Sequence, residues 1–149
     1  FRTIKVIKKI SIINGPNLNL LGNRETIIYG NSSLEDINLN LKNKFPEIEF
    51  SFYQSNNEDE LVNAIQDAGE NCDALIINAG AYSHTSIAIA DAISAINIST
   101  ISVHISNIYK REEYRHIDLI SEKCEGAIIG LGTIGYELAV ECIIEKNKK

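Results

Sequence analysis

Along this chain, short β-branched runs alternate with stretches whose apolar residues fall at helical spacing, and that alternation is its strongest structural signal. Residues 9–14 (KISIIN) read as a first strand, closed by Gly15-Pro16. Leu34, Ile37, Leu41 and Phe45 then mark one face of a helix. Ser32 or Ser33 is available to cap it, with Glu35 and Asp36 in the first turn. Residues 47–53 alternate as a strand does, and 60–69 carry Leu61, Ala64, Ile65 and Ala68 on one helical face. Three more units follow. Residues 74–78 predict a strand, with a helix over about 86–95. Residues 99–104 predict a strand leading into a charged segment, 110–115. Residues 127–130 predict the last strand, and 134–146 a helix burying Ile134, Leu138, Cys142 and Ile143.

Five strand–helix units without a repeat or linker between them predict one α/β domain over residues 1–149, with residues 1–7 as an N-terminal extension outside the core. The fitting architecture is flavodoxin-like: a five-stranded parallel sheet in the order 2-1-3-4-5 with helices on both faces. In such sheets ligands bind beyond the carboxyl ends of the strands, where the strand order reverses. That rule singles out residues 14–19, 78–84 and 104–115.

Composition narrows the function. With 14 Lys and Arg against 20 Asp and Glu, the net charge of −6 argues against nucleic acid, whose phosphates need a cationic face. No apolar run approaches the roughly 18 residues of a membrane span, and the basic first residues lead into a strand-like stretch rather than a signal peptide. Cys72, Cys124 and Cys142 are odd in number and never paired as CxxC, which suits a reducing compartment, the cytosol. Histidines number three, and arginines are confined to positions 2, 24, 111 and 115, so where these few fall is informative.

The three selected strand ends turn polar together: Asn14-Gly15-Pro16-Asn17, Asn78-Ala79-Gly80 and His104-Ile105-Ser106-Asn107. Each Asn alone could simply close a turn; three such ends on one sheet edge suit a polar pocket. His104 is either a structural histidine bonded to a carbonyl or a general acid or base. His84 is either a substrate contact or a polar loop residue. The loop from Gly15 to Ser33 has the length of a lid or binding loop. It holds Arg24 and Tyr29, and a guanidinium beside a phenol favours the phenolate; the alternative is a solvated loop with a packing tyrosine. The GxGxxG run at 130–135 has only 14 residues after it, too few for a second strand and a ribose-binding acid. Its glycines suit a tight turn instead. Metal-ligand spacings and a GxSxG nucleophile elbow do not occur.

The motifs at 14–25 (NGPNLNLLGNRE) with Tyr29-Gly30, at 78–86 (NAGAYSHTS), at 104–115 (HISNIYKREEYR) and at 130–136 (GLGTIGY) resemble, in order, the four signatures of type II 3-dehydroquinate dehydratases. The likeness runs from about Lys8 to Glu145. It implies elimination of water from 3-dehydroquinate through an enolate, the third step of the shikimate pathway, without metal or organic cofactor. Tyr29 would then be the base, Arg24 the group holding it as phenolate, Asn17 an enolate stabiliser and His104 the acid. Asn78 and the backbone amides of Ile105 and Ser106 would hold the substrate carboxylate; His84 and Arg115 would hold ring hydroxyls. Asp91 would reach the site of a neighbouring subunit, in trimers that assemble into a dodecamer.

Three positions depart from the family's usual pattern. Ser102 replaces a Glu two residues before His104, Thr26 replaces a Pro in the lid, and Ala90 replaces an Arg before Asp91. A hydroxyl at 102 cannot stabilise an imidazolium as a carboxylate would, so His104 is expected to lack that support. Two other readings stand beside the dehydratase: a flavodoxin-like module binding flavin or phosphate, and a paralogue whose Ser102 marks lost activity.

Overall fold

A computed structural model describes residues 6–23 and 25–148. Five strands pair in the order β2-β1-β3-β4-β5: β1 (Lys9–Asn14), β2 (Glu49–Gln54), β3 (Ala74–Asn78), β4 (Ser99–His104) and β5 (Gly126–Ile129). Every pairing is parallel. This is the doubly wound arrangement expected from the alternation of runs.

Period-two alternation divides the core into two layers. Ile10, Ile12, Ala74, Ile76, Ile101 and Val103 face α2 (Leu34–Lys44) and α5 (Ile134–Lys146). Ile13, Leu75 and Ile77 face α3 (Glu58–Asn71) and α4 (Ile87–Ala95). Each fully buried Ile or Leu contributes about 1.5–3 kcal/mol, several times the propensity differences between ordinary residues in a helix. Burial against the sheet is therefore what holds the helices in place.

Local chemistry sets the element ends. Ser33 caps α2 by accepting from the Asp36 amide, while Asp36 accepts from the Ser33 amide, a capping box. Helix α3 begins two residues earlier than the apolar spacing indicates and ends two later. Its first turn carries Glu58, Asp59 and Glu60 at the positive end of the helix dipole. Gly69 lets α3 press on the chain leaving α4, because a Cβ there would lie 2.5 Å from Cγ2 of Ile96. Strand β5 starts and stops one residue before the expected span. Gly130 and Gly132 end it at φ of +86° and +74°, and their amides donate to the carbonyls of His104 and Ile105, both at 3.0 Å. The GxGxxG glycines thus serve a strand-to-helix turn.

Two connections carry more structure than their sequences indicate. The Gly15–Ser33 segment contains a 3-10 turn at Leu18–Leu20 and a single helical turn, α1 (Thr26–Tyr29). The charged segment after β4 folds into 3-10 turns at Ile108–Lys110 and Glu113–Arg115. Among the described residues no helix is long and apolar enough to cross a membrane.

Candidate active site

The carboxyl ends of β1, β3 and β4 meet at an open cleft lined by residues from the long loop, β3, β4 and the segment after β4. Its floor begins with a close backbone crossing. The Gly15 amide donates to the Asn78 carbonyl at 2.7 Å, and a Cβ on Gly15 would sit 2.3 Å from the Ala79 carbonyl oxygen. Beneath this crossing lies Tyr136 of α5, fully buried. Its hydroxyl donates to Asn14 Oδ1 at 2.5 Å and accepts from Asn78 Nδ2 at 3.0 Å. Burial pushes the Tyr136 phenol well up, only partly opposed by the Asn78 hydrogen bond, so it stays neutral. Asn78 Oδ1 also accepts from the Gly80 amide at 3.2 Å. One Nδ2 proton of Asn78 remains for a ligand, since a carboxamide has two.

On one wall the long loop is pinned by Asn56, whose Oδ1 accepts from the Asn17 amide at 3.0 Å. Asn17 adopts φ 68°, a left-handed conformation that Asn tolerates well. Helix α1 then brings Tyr29 to the cleft, where Nη1 of Arg111 donates to its hydroxyl at 2.8 Å. The guanidinium carbon stands 5.5 Å from the phenol ring centroid. Arg111 sits between the two 3-10 turns after β4, its side chain 13% exposed, and also reaches Ser106 Oγ at 3.4 Å. Arg115 lies alongside, its Nε donating to Glu112 at 2.7 Å. Desolvation strengthens a nearby cation's pull on developing negative charge, so this wall is built to hold an oxyanion.

The opposite wall holds two imidazoles with ring centroids 6.2 Å apart. His84 Nδ1 is 2.8 Å from the Ile117 carbonyl, which can only accept, so Nδ1 carries a proton. His104 Nε2 is 2.7 Å from Asp118 Oδ2, both side chains under a tenth exposed. Burial raises the Asp118 carboxyl, but hydrogen bonds from His104 and from the Ser121 hydroxyl and amide outweigh it and hold the group at about 2. The support for His104 that Ser102 was expected to deny is therefore present, from a different residue. Next to Asp118, burial pushes the Cys124 thiol up to about 12, which makes it an inert neighbour.

Of the residues singled out by sequence, Asn17, Tyr29, Asn78, His84, His104, Ile105, Ser106 and Arg115 all line this cleft. Asp91 does not; it lies exposed on α4. Arg24 lies outside the described residues. Two contacts were not foreseen. Arg111 falls in a motif but carries no mark distinguishing it from Lys110 or Arg115. Asp118 lies in an aperiodic stretch after the third motif; the one hint of it is the missing acid at 102.

A family model described as Dehydroquinase class II matches residues 8–144. A 3-dehydroquinate dehydratase of Campylobacter lari is 52% identical over 134 residues, covering 89% of this chain and 84% of that protein. One from Fusobacterium nucleatum is 52% identical over 147 residues, covering 95% of this chain and 99% of that protein. Among solved structures, the type II dehydroquinase of Butyrivibrio crossotus superposes with a TM-score of 0.87 at 45% identity, covering 92% of this chain and 97% of that one. Matching sequence over nearly its full length, with the same fold, the chain belongs to the class II dehydroquinase family.

Proposed function

We propose that this protein is a hydro-lyase of the shikimate pathway, converting 3-dehydroquinate to 3-dehydroshikimate, with Tyr29 as base and His104 as acid. The observation that carries the assignment is the 2.8 Å contact between the Arg111 guanidinium and the Tyr29 hydroxyl, in the cleft that His104 also lines. A proton next to a ketone is weakly acidic, so its removal needs a strong base and a group that steadies the enolate. Arg111 stabilises Tyr29 as phenolate, which takes that proton. Asn17 steadies the enolate oxygen. His104 then gives a proton to the departing hydroxyl, which leaves as water. With Nε2 directed at Asp118, Nδ1 is the nitrogen that delivers it. Asn78 and the amides of Ile105 and Ser106 hold the carboxylate, and His84 and Arg115 the ring hydroxyls. The exposed position of Asp91 on α4 suits a contact with a neighbouring subunit's site, in a trimer-based assembly.

The assignment is tested by following the conjugated enone of the product in the ultraviolet. The wild type should produce it from 3-dehydroquinate. Tyr29→Phe should lose at least about 10²-fold in kcat with its unfolding midpoint unchanged. Near-normal turnover by that variant would remove Tyr29 from the role of base. A yellow, flavin-bearing protein that fails to form the enone would support the binding-module reading instead.

A further inference from the structure

We infer that Asp118 is the positioning residue of His104: it holds the ring by Nε2 and so fixes which imidazole nitrogen faces the cleft. This inference rests on the dehydratase reading for what His104 does, but the pairing itself is independent of it.

The local bonding is one-directional. Asp118 is held from below, its Oδ1 accepting from the amides of Ile120 at 3.0 Å and Ser121 at 2.9 Å. Its Oδ2 accepts from the Ser121 hydroxyl and lies 2.7 Å from His104 Nε2. A carboxylate so bonded has no proton to give, so Nε2 must carry one, and Nδ1 is the nitrogen turned to other partners. The same residues explain Ser102. Residues 102 and 104 share one face of β4, two positions apart. Ser102 Oγ lies 2.9 Å from Ser121 Oγ. Ser121 has one hydroxyl proton, which the carboxylate claims, so Ser102 donates to Ser121. Ser102, Ser121, Asp118 and His104 thus form one chain of hydrogen bonds, its negative end placed against the imidazole. The carboxylate stands on the loop, and the strand position supplies only a hydroxyl that orients it.

The other ionisable groups about His104 do not replace Asp118. His84 stacks on it at 6.2 Å with Nδ1 tied to a carbonyl. Arg111 and Arg115 line the same cleft and repel an imidazolium. Cys124 stays a neutral thiol. Asp118 is the anion in hydrogen-bond contact with the ring.

The wild-type protein supplies the first test. In ¹⁵N–¹H spectra of its histidine rings, His104 should hold its proton on Nε2 in a single tautomer when neutral, with that N–H shifted downfield; a mixture of tautomers would overturn the inference. The second test is kinetic. Asp118→Asn should reduce kcat at least about tenfold, a fraction of what a general acid contributes, with KM within about threefold, and should change the His104 tautomer signature. Asp118→Glu should recover part of the lost kcat. An Asp118→Asn variant with wild-type kcat and unchanged ring signals would refute the role. A wild type with the predicted ring signals but no enone formation would instead refute the dehydratase reading and leave the pairing intact.

Discussion

Two tyrosines, one lining the cleft and one buried beneath it, show how environment sets apart the same side chain. Tyr136 is fully buried between two carboxamides, and desolvation keeps its phenol neutral. Tyr29 lines the cleft and accepts a hydrogen bond from the Arg111 guanidinium at 2.8 Å. Tyr136 is therefore a brace, while Tyr29 is placed where a ligand can meet it. Tyr136→Phe should leave Asn14 Oδ1 and one Nδ2 proton of Asn78 buried without their partner. The expected cost is about 1–3 kcal/mol in chemical denaturation, together with a raised KM, because Asn78 is no longer held. An unchanged denaturation midpoint would mean that the amides find other partners. At this scale the sequence is informative where chemistry and position coincide: His104 ends a buried run, and Tyr29 lies in a loop at the correct sheet edge. It is silent on Arg111 and Asp118, because which of several charges enters a cleft depends on 3-10 turns that leave no periodic trace.

At the scale of elements, the alternation of β-branched runs and helical spacings is enough to read the sheet, since each central strand is buried on both faces and each helix on one. Element ends are less legible. They depend on capping, on the acidic first turn of α3 and on positive φ at Gly130, effects confined to one or two residues. Gly69 gives a direct test of packing against propensity. Within an exposed helix, Gly→Ala gains about 1 kcal/mol. At Gly69 the new Cβ would lie 2.5 Å from Cγ2 and 2.9 Å from Cβ of Ile96, a β-branched side chain with little freedom to move. Overpacking of this kind costs about 1–3 kcal/mol, so Gly69→Ala should destabilise the protein on balance. A raised thermal midpoint would show that α3 and the Ile96 segment can separate at little cost.

For the whole molecule, a net charge of −6 makes the location of its few cations decisive. Arg111 and Arg115 both line the cleft, so an acidic chain presents a local positive site to an anionic substrate. The fold brings this about by setting the β4–β5 connection, which carries both arginines and Asp118, across the switch point from the loop that carries Tyr29. Tyr29, Asn78 and the 104–115 segment thus come from separate stretches of chain and meet only in the folded sheet. Arg24, the partner expected for Tyr29, lies outside the described residues; among the described residues Arg111 donates to the phenol. The most direct test is a double-mutant cycle in the enone assay, comparing Tyr29→Phe, Arg111→Gln and the pair. If Arg111 acts through the Tyr29 phenolate, Arg111→Gln alone should lower kcat by about 10²-fold or more, and the double variant should be no slower than Tyr29→Phe, because residues acting as a unit are not additive. Losses that multiply in the double variant would mean that the two residues act separately and that the guanidinium–phenol pair is not the base.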